Sequence, residues 1–250
     1  MTRDEKLLAK RFIDLSKQAQ QKNIVIFSEF LNLNELNIFR QEIPELYSNF
    51  EVYGGYELSE RQMIAFLPDA FCYTWNYPIV CLKIMPINKR FAEKLSHRDV
   101  LGSLMNLGIE RTKLGDILLD EMLIYVFCNK KIAVYIMEQL TRIRHTTIQI
   151  EQVESDAICI EPKKEFVEGI ITSNRLDSVI ACICKISRSQ ANQWIHSGKV
   201  FINNKETLQS TYECKAQELI SVRSVGRFHF LGCVGETRKG RLKIQYEKYI

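Results

Sequence analysis

Between residues 175 and 203 the chain gathers side chains that suit a phosphodiester backbone: Arg175, Lys185, Ser187, Arg188, Ser189, Asn192, Lys199 and Asn203, with Arg223 and Arg227 further on. Guanidinium and ammonium groups pair with phosphate oxygens, while hydroxyls and amides reach sugar and base edges. The spacing predicts two short helices. On the first, Leu176, Val179, Ile180, Ile183 and Ile186 share one face, with Ser178, Cys182 and Lys185 opposite. Ser187 opens the second as a capping box in which Gln190 reaches back to the cap. There Ala191, Trp194 and Ile195 turn inward, and Arg188, Asn192 and His196 form a row at the edge of the polar face. Gly198 stops the helix, and an apolar strand runs into Asn203-Asn204. Such a surface suits the shape and backbone of folded RNA better than a DNA groove, because neither helix is long enough to fill a major groove. A polar face that meets only water has the same pattern. Neither Arg175 nor Arg188 lies on an apolar stripe. Replacing either is therefore expected to weaken RNA binding and leave folding little changed, unless Arg175 is a strut to Asp177 or another acid.

The charge of the chain points to the same region. Residues 171–250 hold 13 Lys or Arg against 6 Asp or Glu, and the rest hold 21 against 24. Phosphate affinity is largely cation neutralisation with counterion release, so the last third is the expected polyanion contact. With 46% hydrophobic and 26% charged residues in 250, the composition is that of a folded globular protein of one large or several small domains. No apolar run approaches the roughly 18 residues of a membrane helix. The start, MTRDEKLLAKRF, has charges where a signal peptide needs an apolar stretch. Eight cysteines form no CxxC pair, so free thiols in a reducing cytosol are expected.

The preceding elements read as follows. Leu7, Leu8, Phe12, Leu15 and Ala19 predict a helix over 4–22, and a second runs from Leu33 to Ile43, before Pro44. FEVYGGYE and RQMIAFLP predict strands around a Gly-rich turn, with a domain boundary at 78. Strand 79–87, helix 96–108 capped by Ser96, strands 115–120 and 122–128, helix 130–143 and strand 146–154 give the order β-α-β-β-α-β. That is the ferredoxin-like arrangement of RNA-recognition modules. Tyr125 and Phe127 fall on one face of its third strand, as base-stacking rings or as core or partner-facing residues. The expected layout is α+β, with an N-terminal domain over 1–78, this module over 79–154, a connector over 155–172 and an RNA-binding domain over 173–250.

Other motifs are incidental. His97-Arg98-Asp99 lacks the Asn that a kinase catalytic loop needs five residues on, where Leu104 stands. Asp177 follows an Arg-Leu pair as in pseudouridine synthases, but an apolar helix face comes next; positioning Arg175 or capping the helix suits it better. Cys182 and Cys184 point apart on one helix and cannot share an ion with His196. No catalytic, metal-ligating or cofactor-binding set is legible.

Arg175-Leu176-Asp177, Ser187-Arg188, Gly198-Lys199-Val200 and Asn203 together resemble the RNA-binding domain first seen in small-subunit ribosomal protein S-four, with Asn204 where Gly usually follows. GGYELSER (54–61) and LSHRDVLGSLMNLGIERTKLGDI (95–117) resemble the YlmH family, and the likeness spans most of the chain. The resemblance implies a cytosolic, ribosome-associated RNA binder: an N-terminal region, an RNA-recognition-like middle and an S-four domain. It further implies ribosomal RNA and tRNA as partners, on a large subunit carrying stalled peptidyl-tRNA during quality control. A noncatalytic RNA-binding protein, without membrane or DNA partners, is the expected function. An RNA-modifying enzyme that docks through its last domain, or a protein–protein adaptor using the middle sheet, are the alternatives.

Overall fold

The computed structural model describes residues 2–70, 73–88, 90, 92–154, 164–223 and 225–249. The chain is α+β and divides into two units, residues 1–161 and 162–250.

In the first unit, α1 (Arg3–Lys22) starts at a Thr2–Glu5 capping box and buries Ala9, Phe12, Ser16 and Ala19. The stripe is rotated from the one expected, and Leu7 is exposed. An Asn32–Glu35 capping box starts α2 (Leu33–Glu42). Both helices contribute to one core with Ile64 and Phe66 of a small sheet. Its order is β1 (Ile26–Phe27), β3 (Met63–Leu67), β2 (Asn49–Tyr53).

Next come β4 (Ile79–Pro86), α3 (His97–Asn106), β5 (Leu114–Asp120), β6 (Leu123–Asn129), α4 (Lys130–Gln139), β7 (Arg142–Ile143) and β8 (Thr146–Val153). The sheet runs β5-β6-β4-β8-β7, antiparallel throughout, and α3 and α4 pack on it through Val100, Leu104, Ala133 and Ile136. Ser96 caps α3 as expected, with Asp99 returning the bond. α4 is shorter than expected: the chain leaves it after Gln139, and Ile143 is buried in a hairpin with β8.

The boundary expected at residue 78 lies inside this unit. Tyr56 donates to Asp116 Oδ2 at 2.9 Å, and the same carboxylate accepts the Glu60 and Arg61 N–H groups at 2.7 and 3.1 Å. Burial pushes the Asp116 carboxyl up, against these hydrogen bonds. The Arg61 guanidinium donates to the Leu114 and Phe30 carbonyls, each at 2.9 Å. A Cβ on Gly55 would stand 2.4 Å from the Phe127 ring. GGYELSER is thus a latch between the two sheets.

The second unit is β9 (Lys164–Ile171), α5 (Leu176–Ile183), α6 (Arg188–His196), β10 (Val200–Ile202), β11 (Lys205–Glu206), β12 (Glu218–Val222), β13 (Gly226–Glu236) and β14 (Leu242–Tyr249). These strands form one sheet in the order β11-β10-β12-β13-β14-β9. Leu176, Val179, Ile180 and Ile183 of α5 and Ala191 and Ile195 of α6 share its core with Val200, Ile220, Phe228 and Ile244. Part of the expected connector is therefore strand: β9 pairs with β14 along its full length, from Lys164↔Tyr249 to Ile171↔Leu242. Residues 155–163 of the connector lie outside the described residues, as do Cys72 and Cys159; the six described cysteines are free. Because β9 covers it, the face of α5 expected to be polar is partly closed. Ser178 is buried, and a Cβ on Gly169 would meet Cys182 Sγ at 2.5 Å.

Candidate RNA-binding surface

Asp177 is the centre of the candidate site. It lies in the first turn of α5, and its side chain is only 3% exposed. A strap over 210–212 closes that helix start: the Asp177 N–H donates to the Ser210 carbonyl and the Leu176 N–H to that of Tyr212. The carboxylate accepts its neighbour Ser178 N–H at 2.9 Å. Two arginines converge on it. Arg188 donates through Nε at 2.9 Å and Nη2 at 3.1 Å, a two-point contact. Arg175 donates at 3.3 and 3.2 Å. Burial alone would raise the Asp177 carboxyl; the hydrogen bonds and charge of Arg188, with Arg175, outweigh it and hold it below the ordinary carboxylate range.

The helices meet here for local reasons. α5 ends with Lys185 in the left-handed region at φ 54°, and the Ile186 N–H returns to the Ala181 carbonyl. Ser187 then caps α6 by accepting the Gln190 N–H at 3.1 Å, although Gln190 does not make the expected return bond. Arg188 is thereby the first residue of α6, within reach of the start of α5. The expectation that Arg188 is uninvolved in folding is corrected: it ties the two helices through a buried carboxylate. Arg175 takes the strut role and is also a candidate ligand group.

One carboxylate between two guanidiniums leaves a local positive charge. Each guanidinium spends two N–H groups on Asp177 and, with side chains 40% and 45% exposed, turns its others toward solvent. A fork fixed in this way loses little side-chain entropy when it takes a phosphate.

The other predicted residues fall into separate arrangements. Lys185, Ser187 and Ser189 are exposed on the turn and first residues of α6. Asn192 is half-buried, with Oδ1 shielded and without a partner among the described residues, so it does not continue an open polar row. Asn203 is a turn residue at φ 49°. Its N–H donates to the Leu219 carbonyl and its Oδ1 accepts the Leu219 N–H, at 2.8 and 2.9 Å. That acceptor is spent within the fold, and Asn203 pins the β10 turn to β12. Lys199 and Arg223, just outside β10 and β12, and Arg227 in β13 are exposed, and the Arg223 N–H donates to the Lys199 carbonyl at 2.9 Å. The Arg223 guanidinium lies over the Phe201 ring, 4.9 Å from its centroid. Phe201 was legible only as the middle residue of an apolar strand; alternation between Val200 and Ile202 was the available signal.

The middle sheet is not a base-stacking platform at Phe127. That ring is fully buried and stacks on Tyr56, centroids 4.9 Å apart at 23° between planes, while Tyr125 packs beside it half-buried.

Comparison with known proteins bears on both units. Residues 75–157 match the family model described as "Putative RNA-binding domain in YlmH". The middle of the chain is thus similar to that domain. Over 250 residues the chain is 24% identical to "Ribosome-associated protein quality control protein P2" of Bacillus subtilis (strain 168), covering 98% of this chain and 96% of that protein. The solved structure of "Cell division protein ylmH from Streptococcus pneumoniae" superposes with a TM-score of 0.51 at 22% identity, over 61% of this chain and 93% of that one. At that identity the likeness speaks for a shared fold.

Proposed function

We propose that this chain is a noncatalytic RNA-binding protein of the YlmH family that works on the ribosome. The observation that carries the reading is the Asp177 fork, two guanidiniums held in place by a buried acid and open to solvent on the side away from it. The YlmH-type domain and the likeness to a ribosome-associated quality control protein support it. So does the sequence pattern of the last unit: Arg175, Asp177 and Arg188 are at once members of the S-four motif and the three residues of the fork. On this reading the second unit is an S-four domain. It binds ribosomal RNA beside peptidyl-tRNA on the large subunit, in the cytoplasm, during quality control of a stalled chain.

The test is ultraviolet crosslinking of the full chain to cellular RNA with sequencing, alongside co-sedimentation with purified subunits. Crosslinks in large-subunit RNA and tRNA, reduced by Arg188→Ala in protein that is still folded, are the expected result. Co-sedimentation of folded Arg175→Ala and Arg188→Ala proteins at wild-type levels removes the fork as the RNA site. A methyl donor or nucleotide retained through purification favours an RNA-modifying enzyme instead. An RNase-resistant complex with another protein favours an adaptor.

A further inference from the structure

Phe201 has an unusual setting for a phenylalanine. The neighbours on either side of it in β10, Val200 and Ile202, are buried in the core, and alternation turns Phe201 to the other face of the sheet, where it stays half-exposed. Cations stand on one side of it, and Glu206 is its cross-strand partner on the other. Arg223 lies over the ring, Lys199 stands two residues before it, and Arg227 is reached along the cross-strand row Phe201↔Ser221↔Arg227. Phosphate contact alone needs the charges and has no use for the ring. A nucleotide whose base has left the stack needs both: a flat surface for the base and positive charge for the phosphates beside it.

We propose that the Phe201–Arg223 pair seats an unpaired nucleobase of the bound RNA, on an inference that rests on the RNA-binding reading above. The guanidinium over the ring and the half-exposed ring itself supply the stacking surface, and Lys199 and Arg227 neutralise the adjoining phosphates. The RNA class thus narrows to helical RNA carrying a bulged or looped-out nucleotide. The middle sheet offers no comparable seat at Phe127, whose ring is buried against Tyr56.

The experiment uses the full chain and two RNA hairpins with the same stem, one bearing a single bulged 2-aminopurine. Affinity is read by anisotropy and stacking by quenching of the 2-aminopurine. The wild type is expected to prefer the bulged hairpin by about ten-fold, the scale of one base–aromatic stack, and to quench it. Phe201→Leu keeps an apolar cover and Arg223→Lys keeps the charge. Each should lose the preference and the quenching yet still bind the plain stem in a salt-dependent manner, with melting temperature confirming the fold. Equal wild-type affinity for the two hairpins overturns the inference while leaving RNA binding intact. Preference retained in folded Phe201→Leu overturns it equally. If neither hairpin binds even at low salt, the inference and the RNA-binding reading fall together.

Discussion

Asp177 decides what its two arginines contribute. Arg188 makes the shorter, two-point contact, so Arg188→Ala should cost about 2 kcal/mol of stability, in the range for hydrogen bonds to charged groups. Arg175 sits further from the carboxylate, and Arg175→Ala should cost about 1 kcal/mol, as for an exposed ion pair. RNA affinity should fall in both. Thermal melting and co-sedimentation on the same proteins check the order; Arg175→Ala melting below Arg188→Ala reverses it. The carboxylate also gives the unit an acid limb. Its folded pKa lies below the ordinary value, so the stabilisation is complete above the unfolded pKa of about 4 and is lost as pH falls through the folded one. Asp177→Asn should lower stability at neutral pH and flatten the melting-temperature profile below about pH 4; an unchanged acid limb would count against it. In the sequence Asp177 reads as a residue that positions Arg175 or caps the helix, and its contact with Arg188 does not show there. The strap that closes its helix start lies at 210–212, more than thirty residues on, and no local spacing announces that.

At the scale of elements, periodicity sufficed for single helices and strands and said nothing of which strands pair across the chain. α1, α2, α3 and the β-α-β-β-α-β order were legible because each stripe or alternation has a neighbour to pack on. β9 lies in the stretch expected to be a connector, because nothing in the sequence around it marks β14, from Leu242 on, as its partner. The same omission explains Ser178 and Cys182, placed on a solvent face that β9 covers. A fragment of residues 162–250 should therefore fold by itself, with circular dichroism and a cooperative melt as the readout. One starting at residue 173 lacks β9, bares the edge of β14, and should be poorly folded or aggregate. Equal melting of the two fragments would show β9 to be dispensable.

For the whole molecule, charge and stability separate between the units. The basic excess of residues 171–250 implies about five phosphate contacts, so log affinity should fall by roughly 4 per unit of log salt. A titration flat from dilute to physiological salt would contradict that. The latch in the first unit should act on stability instead. Tyr56→Ala removes a ring stacked on Phe127 and a donor to Asp116, and should cost about 3–5 kcal/mol, the scale for a buried aromatic. RNA binding by the second unit should persist below the new melting temperature; its loss would make the first unit part of the site. The second unit has one more property in its wiring. Its first and last described strands are partners, and Lys164 stands opposite Tyr249, so these two strand ends lie side by side. A module with adjacent ends can be spliced into a surface loop of a foreign host without prising that loop apart, or permuted by joining its ends and opening it elsewhere. Inheritance of this piece by unrelated proteins would need no more than a single insertion.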